Sequence, residues 1–114
     1  KVLLVGLAYK KNVSDIRESP SLVLLELLEK RGTHTDYHDP YVAEVPRTRE
    51  HAELAGRRSV ELTPEVIRSY DAILLATDHD NIDYGTLHEN ARLIVDTRNA
   101  FGKRGYRSEK IVKA

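Results

Sequence analysis

The sequence predicts an α/β domain of the Rossmann-like, doubly wound kind, with a mostly parallel sheet flanked by helices. Three observations lead there. First, Val2 to Val5, Asp71 to Ala76 and Leu93 to Val95 are apolar runs without alternation, the pattern of strands buried on both faces of a parallel sheet. Second, a strongly helical stretch, Ser21 to Arg31, follows the first run and is followed by a further strand, which makes a βαβ unit with a right-handed crossover. Third, every buried run ends in a polar loop. In a parallel sheet those loops share one rim, and open α/β sheets bind their ligands at that rim. With 114 residues and 40% apolar content, the chain is a single domain, residues 1–114, able to bury one core.

Taken in order, the first strand stops at Gly6. The loop to Glu18 carries Lys10, Lys11, Asp15 and Arg17 and is longer than most βα connections. Ser19 and Pro20 then open the helix as an N-cap hydroxyl and a proline at the first helical position. Along the helix Leu22, Leu25 and Leu28 form a stripe that Val23, Leu24 and Leu27 widen. Lys30 and Arg31 complement its dipole and Gly32 ends it. Thr33 to His38 is the second strand, closed by a turn at Asp39-Pro40, where Asp39 reads as a turn residue. Val42 to Arg58 breaks the pattern: its four arginines alternate with Glu44, Glu50 and Glu53, and it reads as a solvated surface excursion with few core candidates. Ser59 to Leu62 suggests a short strand. Thr63-Pro64-Glu65 caps a brief helix through Ser69, and Tyr84 to Asn90 is another. From Gly102 onward the chain reads as a weakly structured tail or a last edge strand at Lys110 to Val112.

Composition narrows the function. The formal net charge is zero, which removes an overall electrostatic case for nucleic acid or an anionic membrane surface. No apolar stretch is long enough to span a bilayer, and a soluble, cytoplasmic chain is expected. Without cysteine there is no disulfide, thiolate metal site or cysteine nucleophile. A chain that lacks methionine and opens at Lys1 inside a strand reads as part of a longer polypeptide.

On the rim stand Lys10, Arg17, His79 and Arg98. Converging cations suit an anionic ligand, phosphate being the commonest. G-x-G-x-x-G is absent, since Ala8 and Lys11 occupy its second and third glycine positions, so a self-sufficient dinucleotide site is not expected. Asp78-His79-Asp80 and the pair His34 and His38 are poorly spaced for a metal. A phosphotransfer-receiver domain needs an acidic pair after the first strand, where this chain has Gly6-Leu7-Ala8. A stand-alone nucleotide-binding or regulatory module without a redox role is the alternative from a different class.

The stretches Gly6 to Ser21 (GLAYKKNVSDIRESPS), Tyr37 to Tyr41 (YHDPY), Ala76 to His79 (ATDH) and Val95 to Asn99 (VDTRN) resemble the C-terminal domain of the UDP-glucose/GDP-mannose dehydrogenase family. The resemblance runs from Lys1 to about Gly102, and its form is most similar to the branch that oxidises UDP-N-acetylhexosamines. It implies a parent enzyme that uses NAD to take a sugar's C6 alcohol to a carboxylate, by way of a thiohemiacetal on a cysteine, in polysaccharide biosynthesis. The main NAD domain and that cysteine are expected outside this chain, so the fragment alone should be inactive. The implied substrate-binding residues are Tyr9, Lys10 and Arg98, for a UDP-sugar, and the implied cofactor-binding residue is Arg17, toward NAD held by the other domain. Asp15 and Glu18 would orient Arg17 and favour the helix start. Asp78 and His79 receive no assignment. The implied partners are the remainder of the parent enzyme, a homo-oligomer, with no nucleic acid and no membrane.

Overall fold

In the computed structural model, which describes residues 1–17 and 19–114, five strands form one parallel sheet in the order β2-β1-β3-β4-β5. They are β1 (Val2–Val5), β2 (Thr35–His38), β3 (Ala72–Leu75), β4 (Ile94–Asp96) and β5 (Ile111–Lys113). Chain order reverses between β1 and β3, which is the switch point of a doubly wound sheet. The role expected of Glu18 lies outside the described residues.

Among the described residues four α-helices, α1 (Pro20–Lys30), α2 (Pro64–Arg68), α3 (Tyr84–Asn90) and α4 (Ala100–Lys103), and one 3-10 turn (Ala52–Leu54) connect the strands. Local chemistry explains most of their ends. The Ser19 hydroxyl accepts from the Ser21 amide and Pro20 stands in the first turn of α1, while Thr63 and Pro64 do the same for α2. At α3 the Asp83 carboxylate accepts from both the amide and the hydroxyl of Thr86. The pleat divides the apolar residues between two layers. Leu3, Val5, Ile73, Leu75 and Ile94 pack on Ile67, Leu87 and Phe101 of the three later helices. On the opposite face, Leu4 and Tyr37 pack on Leu22 and Leu25 of α1.

Two expectations need correction. Ser59 to Leu62 forms no strand; Val60 gives one hydrogen bond to the Tyr37 carbonyl, and the only pairing nearby among the described residues is an isolated antiparallel bridge between Glu44 and Arg58. The excursion is not merely solvated, because Val42, Val45 and Leu54 are buried against the α1 layer. Their spacing follows neither helix nor strand, so no period marks them. The expected last edge strand forms at Ile111–Lys113, one residue from its predicted position, and the unassigned Ala100 and Phe101 before it are buried in α4. No described helix is long and apolar enough to cross a membrane.

At Gly6 the chain leaving β1 lies tight against Thr77, just past β3. Its φ is +93°, and a Cβ there would lie 2.5 Å from the Thr77 carbonyl oxygen and 2.6 Å from the Thr77 nitrogen. Both a left-handed backbone and absent side-chain volume are required. Gly6→Ala should destabilise the domain by on the order of 2 kcal/mol or more, read in a thermal melt as a Tm lower by roughly 10 °C; an unchanged Tm would show that the two loops do not meet in this way.

Candidate functional site

The rim is built around one buried carboxylate. Asp39, just past β2, accepts from the amides of Leu7 and Ala8 at 2.7 and 3.0 Å, from the Tyr41 amide at 2.8 Å, and from the His79 ring at 2.9 Å. It therefore ties the loop after β1 to the loop after β3, a role that its reading as a turn residue missed. His79 is fully buried, and its other ring nitrogen, Nδ1, accepts from the Asn12 amide at 2.6 Å. An accepting Nδ1 leaves the proton on Nε2, facing the carboxylate. His79 is thus a neutral structural bridge rather than a rim cation, and that expectation is corrected.

Further contacts stitch the same loops. Asn12, at φ +62°, exchanges two hydrogen bonds with Asp80. The Thr77 hydroxyl donates to the Ala8 carbonyl and the Ser19 hydroxyl to the Leu7 carbonyl. The three residues of Asp78-His79-Asp80 turn to different neighbours: Asp78 toward Lys103, His79 to Asp39, and Asp80 to Asn12 and Arg104. No group of three or more metal-binding side chains occurs among the described residues.

On this frame the expected ligand residues separate into two sets. Tyr9 and Arg98 line one recess of about 290 Å³ with Ala8, Ser21, Ala76 and Thr77, directly over the switch point. The Arg98 Nε donates to the Ala76 carbonyl, and its amide donates to Asp96, while the side chain stays exposed. Lys10 is exposed, its ammonium 5.9 Å from the Tyr9 ring centroid. Arg17 lies apart. Its guanidinium forms a paired contact with Asp15 at 3.1 and 3.0 Å, and the side-chain hydrogen bond from Arg17 holds the Asp15 carboxyl below the usual carboxylate range. Tyr9, Asp15, Arg17, Thr48, Glu50 and His51 surround a second recess of about 690 Å³. Tyr9 is the wall shared by the two recesses.

Two features of the rim escaped the sequence reading. Asp96 is buried and accepts from the amides of Arg98, Ala100 and Phe101, so it caps α4 and sets the turn that presents Arg98. Lys11, Lys103 and Lys113 border a third recess of about 620 Å³ beside Arg98. The Asp-Thr-Arg-Asn run signalled a loop, but not that its first residue would supply the helix cap.

A doubly wound sheet that presents an aromatic ring and a guanidinium in the crevice at its switch point defines the class: a nucleotide-binding type of α/β domain. The chain belongs to the UDP-glucose/GDP-mannose dehydrogenase family, matching its UDP binding domain over residues 3–103. It is 35% identical over 107 residues to the UDP-glucose 6-dehydrogenase of Pseudomonas aeruginosa, covering 88% of this chain and 24% of that protein. It is 28% identical over 103 residues to the UDP-N-acetyl-D-mannosamine dehydrogenase of Pyrococcus horikoshii, covering 86% of this chain and 21% of that protein. The fold is shared with the UDP-N-acetyl-mannosamine dehydrogenase of Staphylococcus aureus, at a TM-score of 0.68 and 24% identity over 99% of this chain and 25% of that one. The chain therefore spans about a quarter of the length of the curated relatives it matches.

Asp39 yields a test of the frame. Burial opposes its ionisation, but the His79 ring N–H and the amides of Tyr41, Leu7 and Ala8 outweigh that and hold its pKa below the usual value. A depressed folded pKa means the carboxylate stabilises fully above the unfolded pKa of about 3.9 and loses that contribution as pH falls through the folded value. Asp39→Asn should cost about 1–3 kcal/mol at pH 7, with the gap from the wild type narrowing in urea titrations below about pH 4. A gap that stayed constant with pH would remove the carboxylate from this role.

Proposed function

We propose that this chain is the UDP-sugar-binding domain of an NAD-dependent nucleotide-sugar 6-dehydrogenase. The observation that carries the reading is the pairing of Tyr9 and Arg98 on one recess above the β1–β3 switch point. The ring gives a base or ribose an apolar edge, and the guanidinium offers a planar fork to a diphosphate. Lys10, exposed with its ammonium 5.9 Å from the Tyr9 ring centroid, adds a compact charge nearby. The parent enzyme would oxidise the C6 alcohol of the bound sugar to a carboxylate. Bound NAD⁺ accepts hydride in such chemistry. This chain has no glycine-rich cradle for a dinucleotide, and an exposed arginine beside a wide recess suits contact at a cofactor's edge. Arg17, set by Asp15, is the residue we assign to that contact. The reading carries a cytoplasmic location with it, where NAD and nucleotide sugars are available.

Calorimetric titration of the 114-residue chain tests it. UDP should bind at millimolar strength, about −4 kcal/mol, and Lys10→Ala and Arg98→Ala should each weaken that binding severely, while NAD⁺ gives no comparable heat. NAD⁺ binding without UDP binding, or UDP binding indifferent to both substitutions, would assign the rim to another ligand and favour a regulatory nucleotide module.

A further inference from the structure

One face of the sheet is only half covered. The three later helices all pack on the side of Leu3, Ile73 and Ile94, which are fully buried. The other side has α1 over β1 and β2 and no helix of its own over β3, β4 and β5 among the described residues. Register places Leu4, Leu74, Val95 and Val112 in one row across the sheet. Leu4 is fully buried under α1, Leu74 and Val95 are half-buried, and Val112 is 47% exposed. Just before β4, Leu93, whose carbonyl accepts from the Ile73 amide, is 37% exposed. The flank of α1 that faces this side is apolar too, with Pro20 and Leu24 lining the recess beside Ala76 and Arg98 and Leu27 49% exposed one turn below Leu24.

We propose that a helix of the same polypeptide, from outside these 114 residues, packs into this groove between α1 and the edge strand. The proposal rests on the reading of the chain as one domain of a longer dehydrogenase. Three arguments select this occupant. Relatives carry about three-quarters of their length beyond the matched segment, so ample chain exists to supply it. Interior parallel strands are apolar on both faces because both are permanently covered, and Ala72–Ala76 and Leu93–Val95 have that composition with full cover on one side and only partial cover on the other, where Leu74 and Ala76 reach the margin of the α1 layer and Val95 stays half-buried. The dimensions suit one helix: three strands about 4.8 Å apart span roughly 10 Å, the width of a packed helix. α1 leaves the rim end of β1 and returns to the start of β2, so it runs antiparallel to the strands. A second helix lying alongside the strands passes the recess of Tyr9 and Arg98 at its rim end and gives that recess a further wall.

Thiol reactivity decides the matter without any ligand, so its failure is distinct from failure of UDP binding. The chain has no cysteine, and Val112→Cys or Leu93→Cys places a reporter on an exposed position of the face. In the dilute 114-residue chain both should react with a maleimide at the rate of a free thiol. In the full-length polypeptide from the same reading frame, followed at each site by peptide mass spectrometry, both should react at least about tenfold more slowly, because a covered thiol reacts only through local opening. Arg107→Cys, exposed on the loop before β5, should react alike in both. Equal rates at positions 93 and 112 in the two contexts would overturn the proposal, as would a reading frame with no further helical segment. Protection that appears in the short chain as its concentration rises would overturn it in favour of a second copy on this face.

Discussion

Four donors converging on the buried carboxylate of Asp39 are the constraint from which the rim follows. A charge in that position is unfavourable unless every lone pair is met, and three backbone amides and one imidazole meet it. Those donors come from three loops, so satisfying the carboxylate also brings the loops into register. Polar cost and loop geometry are the same fact. The imidazole completes the arrangement by accepting on its far side from Asn12, which bends the loop after β1 back over the loop after β3. Tyr9 and Lys10 lie between these anchor points, on backbone already held at both ends.

The order of the chain explains how much of this was legible beforehand. β1 and β3 stood out because burial on both faces removes alternation, and α1 and α2 because each begins with a hydroxyl cap and a proline. Those are local signals. The Asp39–His79 pair spans 40 residues and the Asn12–His79 contact 67, and no spacing within either segment encodes the meeting. Asp39 did carry its turn signal, and it does accept from Tyr41 two residues on; its second oxygen has the longer reach. Likewise α4 owes its start to a carboxylate four residues upstream, at the end of a strand, where a scan for caps does not look. The excursion at 42–58 was misjudged because Val42, Val45 and Leu54 contribute to the core singly, without a period.

The two recesses on either side of Tyr9 bear on how such a domain works in a larger protein. One is floored by the switch point and reached by Arg98; the other is bordered by Arg17 and the excursion. A side chain that forms the common wall cannot rotate to fit one occupant without reshaping the space for the other. Were both recesses filled, coupling between the occupants would need no long-range rearrangement, only this shared surface.

Arg98 commits its Nε to the Ala76 carbonyl, and among the described residues its two terminal nitrogens make no hydrogen bond. The inner edge of the guanidinium is thereby fixed to the end of β3, while the outer edge stays exposed. Lysine at this position would preserve the charge and lose the arrangement, because one ammonium nitrogen cannot stay on the carbonyl and also present a planar pair of donors. The requirement at position 98 is thus one of shape: a cation with two separate edges, one held by the sheet and the other exposed above it.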